Sequence, residues 1–278
     1  GQKIKKNSVL ITLIGSANLI LTTERTILNF LQHLCSISTE TRNYVSRIKK
    51  FKTKLLDTRK TTPLNRIIEK WARENGSGVN QATIWGDDAP SLRVSDVALV
   101  NGTAAHAFEL DDYHPVKHHP GAVVIPAALA MGEKLGSSGE DLITAIAAGY
   151  ELMIRVSYAM DPTPTMLRGW HITGITGAFG SVAAAASLLK LDAEQTACAY
   201  GIAGTQASGL FAWLYDGAMT KRFHAGDAAR AGIVAAELAA LGYTGSKAIF
   251  EFKNGGFLKA HSDHAVPAKL IEELGETW

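Results

Sequence analysis

The chain has 278 residues, of which 46% are hydrophobic and 19% charged, with a formal net charge of +2. That balance excludes a disordered chain and leaves ample sequence to bury a core in one large domain or two small ones. The near-zero net charge carries no general nucleic-acid signature.

Lysine and arginine concentrate in the first 75 residues. Val9–Leu21 is mostly apolar and follows Lys3, Lys5 and Lys6, as in a signal peptide. It lacks a small-x-small cleavage site and is too short to span a bilayer, so neither export nor a membrane partner is expected. The two cysteines, Cys35 and Cys198, share no short spacing and suggest neither a disulfide framework nor a cysteine zinc site. Both suit buried thiols in a reducing compartment, so a cytoplasmic location is expected, with the mitochondrial matrix as alternative.

Ala82–Trp85 is the best short strand candidate. From there the pattern is helical. Ser95-Asp96 can cap a helix over Val97–Phe108. Pro126 suits the first turn of an apolar helix, Ala127–Leu135, that stops at Gly136. Glu140-Asp141 places negative charge at the start of the next helix, about Asp141 to Tyr158, which should end before Asp161-Pro162. Gly177–Lys190 reads as a helix with small residues on nearly every face, suited to a central position. Asp192 can cap Ala193–Gln206. Ala225–Leu241 is another helix, closed by Gly242-Tyr-Thr-Gly245, and Pro267–Leu274 is the last. No alternating run persists long enough for a major sheet. The expected class is mainly α, packed through alanine- and glycine-rich helices.

The chemistry concentrates between His106 and Gly121. Three carboxylates (Glu109, Asp111, Asp112) and four histidines (His106, His114, His118, His119) fall within fourteen residues there. Histidine changes charge near neutral pH, and nearby carboxylates tune it. A second site is Arg168-Gly-Trp-His171, just before a helix start with Thr173, Gly174, Thr176 and Gly177, whose backbone N–H groups suit anions. A third is Asp216-Gly-Ala-Met-Thr-Lys221-Arg222-Phe-His224, where adjacent cations open a helix. Lys253-Asn-Gly-Gly-Phe257 is a turn with a weaker signal. Together these groups suit a small polycarboxylate: lysine and helix starts hold carboxylates, and histidine and aspartate move protons. No glycine-rich nucleotide loop is present. A metal site built on the histidine cluster, as in a metal-dependent hydrolase, is an alternative.

Val100-Asn-Gly-Thr-Ala-Ala-His106-Ala-Phe-Glu-Leu-Asp-Asp112, then His119-Pro-Gly-Ala-Val-Val-Ile-Pro-Ala-Ala-Leu-Ala130, resembles the MmgE/PrpD family. So do Gly169-Trp-His171 through Gly177-Ala-Phe-Gly180, and Asp216-Gly through Thr220-Lys-Arg-Phe-His224-Ala-Gly226. The family includes 2-methylcitrate dehydratase and cis-aconitate decarboxylase. The resemblance implies an all-helical domain joined to a smaller α/β lid domain, a homodimer, and no metal or other cofactor. It implies that Glu109, His119, His171 and Lys221 lie in the active site. Glu109 and Tyr113 stand where the decarboxylase subgroup has aspartate and threonine. The loop to His119 is one residue short, so His118 could share or replace its role. Leu55-Leu-Asp57-Thr58 is similar to a family motif, but Arg59–Pro63 replaces the small-residue helix that follows. The expected organisation is an atypical segment over 1–54 and a family-like helical domain over 55–278, without the lid.

The expected activity is dehydration of a small tricarboxylate such as 2-methylcitrate. The alternatives are decarboxylation of cis-aconitate, or an inactive helical module. The expected catalytic set is Glu109, Asp111, Asp112, His114, His118, His119 and His171. His119 or Asp112 would be the base, and His171 or His114 the acid. Tyr113, Lys221, Arg222 and His224 would bind substrate.

Overall fold

The computed structural model describes residues 81–86 and 92–276. The chain divides into two compact units, Gly1–Arg59 with Trp278, and Lys60–Thr277; every described residue lies in the second. The readings of Val9–Leu21, Cys35, Leu55–Thr58 and the segment 1–54 lie outside the described residues.

The described residues form α1 (Val94–Ala105), α2 (Gly121–Leu135), α3 (Gly139–Met160), α4 (Pro162–Leu167), α5 (Ile172–Leu188), α6 (Ala193–Gly204), α7 (Trp213–Asp216), α8 (Thr220–Ala240) and α9 (Phe257–His261). A 3-10 turn, Pro267–Leu270, follows. Among these residues β structure is limited to isolated bridges; Ala82 pairs only with Leu92, so the expected strand is a single bridge. The fold is mainly α.

Helix ends capped from nearby match the expectations. Ser138 accepts from the Asp141 N–H at 3.1 Å, and Asp192 and Gln195 form a reciprocal capping box. Gly136 takes the left-handed conformation that stops α2 (φ 62°).

Besides α8, which begins at Thr220 rather than at residue 225, three helices start earlier than local pattern predicts, and for two of these three the stabilising partner is distant. The Val94 N–H at the head of α1 donates to Gln81 Oε1 at 3.1 Å, so Ser95 is not its cap. The Gly121 N–H at the head of α2 donates to Asp112 Oδ1 at 2.9 Å, which places Pro126 inside the helix. That proline leaves the Ala122 carbonyl without its intrahelical donor. The third, α5, starts at Ile172 rather than at residue 177. The segment expected as Pro267–Leu274 is helical only as the short 3-10 turn.

Every residue of α5 except Ser187 is buried. α5 packs on α2, α3 and α8, and α8 packs also on α1. Small residues permit this closeness. A Cβ added at Gly102 of α1 would lie 2.8 Å from the Gly226 Cα of α8, so neither helix tolerates a side chain there. Ser181 Oγ of α5 donates across to the Ala228 carbonyl of α8 at 2.6 Å. A second apolar cluster, with Val156, Met160, Ile175, Phe179, Phe257 and Leu258, fixes α9 beneath α5. Burying each of these larger side chains stabilises by about 1.5–3 kcal/mol. The scaffold thus holds the α1–α2 loop, the start of α5 and the start of α8 together.

Candidate active site

The α1–α2 loop is anchored at Asp112. Its carboxylate accepts from the Gly121 N–H at 2.9 Å and the Tyr150 hydroxyl at 3.0 Å, tying the loop to α2 and α3. A Cβ at Gly121 would lie 2.3 Å from Asp112 Oδ1, so a side chain there would push the carboxylate out of its present position. Burial pushes the Asp112 carboxyl up, against the lowering effect of these two donors.

Asp111 faces the other way. Its Oδ2 lies 3.0 Å from His106 Nδ1 and 3.1 Å from His119 Nδ1. Burial pushes its carboxyl up, but hydrogen bonds from His106 and His119, with their charges, outweigh this and hold it well below the usual carboxylate range. His119 Nδ1 also lies 3.0 Å from the Asp112 carbonyl. A carbonyl oxygen only accepts, so Nδ1 carries a proton, which leaves Nε2 as the nitrogen positioned to exchange one with substrate. His106 is fully buried, and its Nε2 has no hydrogen-bond partner.

His171 stands at the head of α5, its N–H donating to the Gly209 carbonyl at 3.0 Å. Its ring stacks 6.3 Å from that of His106 and is edged by Phe211 and Trp213. Burial, with the nearby His224, pushes its pKa down to about 2, so it is neutral. His171 Nδ1 lies 3.0 Å from His224 Nδ1.

Lys221, in the first turn of α8, pairs with Glu109 at 2.5 Å and sits 5.0 Å from the Trp213 ring centroid. Glu109 takes a left-handed backbone conformation (φ 53°) to reach it. Burial raises the Glu109 carboxyl, but the hydrogen bond and charge of Lys221 bring it below its ordinary value. Tyr113 is exposed, its ring 5.3 Å from that of His119.

The structure therefore gathers Glu109, Asp111, Tyr113, His119, His171, Lys221 and His224 of the expected set. It turns three others elsewhere. Asp112 holds the start of α2 and the Tyr150 hydroxyl rather than presenting a free carboxylate. His118 is fully buried, with Nδ1 3.1 Å from Ser157 Oγ and 3.3 Å from Thr176 Oγ1, and burial pushes its pKa down to about 3. His114 meets His118 and Tyr158 edge-on rather than His119. No hydrogen bond or ion pair among the described residues ties Arg222 to the group. Thr173 Oγ1 accepts from the His119 N–H at 3.2 Å, and Arg168 pairs with Asp263. Sequence reasoning counted His106 in the cluster without giving it a role, and left Phe211 and Trp213 out of the site. His106 had one signal, an aspartate five residues on across a helix end; the two aromatics had none.

His106, Asp111 and His119 also bring ligand atoms within 4.8 Å of one another and could hold a cation. The Asp112 carbonyl at His119 Nδ1 accounts for that nitrogen as a donor, which favours the hydrogen-bonded arrangement. A free base (His119), a neutral imidazole (His171) and a cation (Lys221) can together bind a carboxylate and move a proton beside it.

Residues 56–269 match the family model "MmgE/PrpD N-terminal domain". The chain is 37% identical over 195 residues to the cis-aconitate decarboxylase-like protein oryM of Aspergillus oryzae, covering 65% of this chain and 40% of that protein. It is 38% identical over 193 residues to the cis-aconitate decarboxylase of Aspergillus terreus (65% and 39% covered). It is 32% identical over 215 residues to that of Homo sapiens (75% and 44% covered). The chain thus spans about two fifths of the length of these curated relatives. A different model, "Quinolinate phosphoribosyl transferase, N-terminal domain", matches residues 1–35. Similarly, the chain is 41% identical over 80 residues to a probable nicotinate-nucleotide pyrophosphorylase of Synechocystis, covering 29% of this chain and 27% of that protein.

Proposed function

The chain belongs to the MmgE/PrpD family, and from that premise we propose that it forms the helical part of a lyase acting on a small tricarboxylate. The observation that carries this is the convergence of His119 and His171, from two separate segments, on the His106–Asp111 pair, with Lys221 of a third segment near His171 and paired with Glu109. The names of the relatives favour decarboxylation of cis-aconitate.

In that reaction a substrate carboxylate replaces Glu109 at Lys221. The bond to a second carboxylate breaks, carbon dioxide leaves, and the electron pair passes into an enolate stabilised by the adjacent carboxyl group. His171 then supplies a proton from Nε2 to carbon. Trp213 and Phe211 flank His171 and keep water from the transferred proton.

One observation favours a second reading, dehydration of a 2-methylcitrate-like substrate. Decarboxylation needs no base, yet His119 is oriented as one. In dehydration His119 Nε2 would remove the proton beside a carboxylate, and His171 would protonate the departing hydroxyl. Glu109 and Tyr113, where the decarboxylase subgroup has aspartate and threonine, agree with a reaction other than decarboxylation.

The test is to incubate the protein separately with cis-aconitate and 2-methylcitrate and follow products by proton NMR in D2O. Carbon dioxide with itaconate supports decarboxylation, and a new alkene from 2-methylcitrate supports dehydration. Folded protein that turns over neither overturns the lyase reading. We also take the working form to be a homodimer, since Leu110, Leu214 and Tyr215 stand exposed near the site. A monomer by sedimentation at micromolar concentration would refute that.

A further inference from the structure

We propose that His224 is a positioning residue that sets the tautomer of His171: its Nδ1–H donates to His171 Nδ1, so the proton of His171 is kept on Nε2. The two Nδ1 atoms are 3.0 Å apart, with ring centroids at 5.2 Å. At that separation one nitrogen must donate and the other accept.

The surroundings choose the donor. His171 is buried among His106, Phe211 and Trp213, with the Lys221 charge also nearby, and all of these disfavour an extra proton there. Burial lowers the proton affinity of His224 as well, but His224 is less buried than His171, and Asp227, one turn on along α8, offsets part of that effect by drawing protons towards its ring. The shared proton therefore resides on His224.

The seat for His224 is built by two glycines. A Cβ at Gly209 would lie 3.3 Å from His224 Cγ and Nδ1, and one at Gly174 would lie 3.3 Å from His224 Cβ. Gly209 has φ +137°, a conformation that favours glycine, and its carbonyl is the acceptor for the His171 N–H. One residue thus fixes the backbone of His171 and leaves room for the ring that orients its side chain.

The consequence for catalysis rests on the lyase reading. A neutral imidazole is a weak acid by itself. As the Nε2–H bond of His171 breaks and its proton goes to substrate, the His224 Nδ1–H bond breaks and a proton forms Nδ1–H on His171. His224 takes a replacement proton on Nε2 from water. His171 is never left as an imidazolate. Once product has left, water returns a proton to His171 Nε2, the Nδ1 proton passes back to His224 Nδ1, and His224 Nε2 gives its proton to the hydroxide left by the first transfer, which restores the starting tautomers.

The tautomer is tested without any turnover. Nitrogen-15 NMR of histidine-labelled protein should show His171 protonated at Nε2 and bare at Nδ1. His224→Ala should lose that fixed pattern. His224→Asn, whose amide N–H can occupy the place of Nδ1–H, should keep it. In turnover, His224→Ala should lower kcat by at least about tenfold, less than the 10²- to 10⁴-fold typical of losing the acid itself, with KM little changed. His224→Asn should recover most of it. A wild-type His171 protonated at Nδ1 overturns the proposal whatever the activity. So does a folded His224→Asn as slow as His224→Ala. If His224→Ala does not fold, the wild-type spectrum still decides. If no substrate is turned over, the lyase reading fails while the tautomer assignment stands or falls on the spectra.

Discussion

His118 turns into the helical core and lies between Ser157 and Thr176, whereas His119, one residue on, meets Asp111, His106 and the Asp112 carbonyl. The tight turn in which His114 and His118 bridge each other sends the two rings to opposite sides of the loop. One histidine is neutral because burial penalises its charge. The other is oriented, with a carboxylate and a carbonyl on one nitrogen, so that the second is the one positioned to meet substrate. Identical residue type and adjacent position thus yield a packing group and a candidate base. The environment, not the residue, assigns the chemistry.

The largest expected effect tests the functional half of that contrast. His119→Ala should reduce kcat by about 10²- to 10⁴-fold in dehydration, as expected for a positioned base. The same variant should have a much smaller effect if the reaction is decarboxylation. His118→Ala should cost far less activity per folded molecule than His119→Ala under dehydration. Equal losses would erase the distinction.

Acid stability comes next. His118 and His171 have folded pKa values of about 3 and about 2, below the ordinary histidine value. Below pH about 6.5 the unfolded chain binds protons that the folded protein refuses, so stability falls with falling pH. The loss continues until pH drops through the folded values. Each group contributes about 1.4 kcal/mol per pH unit, so denaturant midpoints at pH 5.5 should report about 3 kcal/mol less stability than at pH 7. A flat profile over that range would show that these rings are solvated.

His118→Ala should destabilise the fold by about 2 kcal/mol, because it opens a cavity and leaves the Ser157 and Thr176 hydroxyls without the imidazole as hydrogen-bond partner. It should also remove roughly half of the acid dependence. The smallest effect belongs to Asp112→Ala, which frees the start of α2 and should cost about 1 kcal/mol in urea unfolding. Unchanged stability there would mean that the Gly121 N–H and Tyr150 hydroxyl find other partners.

Much of the helical frame was legible from residues close in sequence. Asp192 announces the start of α6, and Gly136 the end of α2, because their partners lie within a turn. The starts of α1 and α2 were misplaced, because Gln81 and Asp112 stabilise them from thirteen and nine residues away. The same limit applied at the site. The cluster of titratable residues was visible, and so was the likeness of its motifs to one family. Its division into a site half and a core half was not.

The sequence by itself determined the mainly α class, the local caps, and the residue types available for chemistry. These depend on periodicity and on hydrogen bonds that span only a few residues. Only the tertiary structure decided that Asp111 rather than Asp112 joins His119, that His118 is buried, and that His224 meets His171. Those outcomes depend on which backbones can approach closely, as at Gly102, Gly174 and Gly209, and on how burial shifts each proton equilibrium. Both belong to the packed molecule rather than to any segment of it.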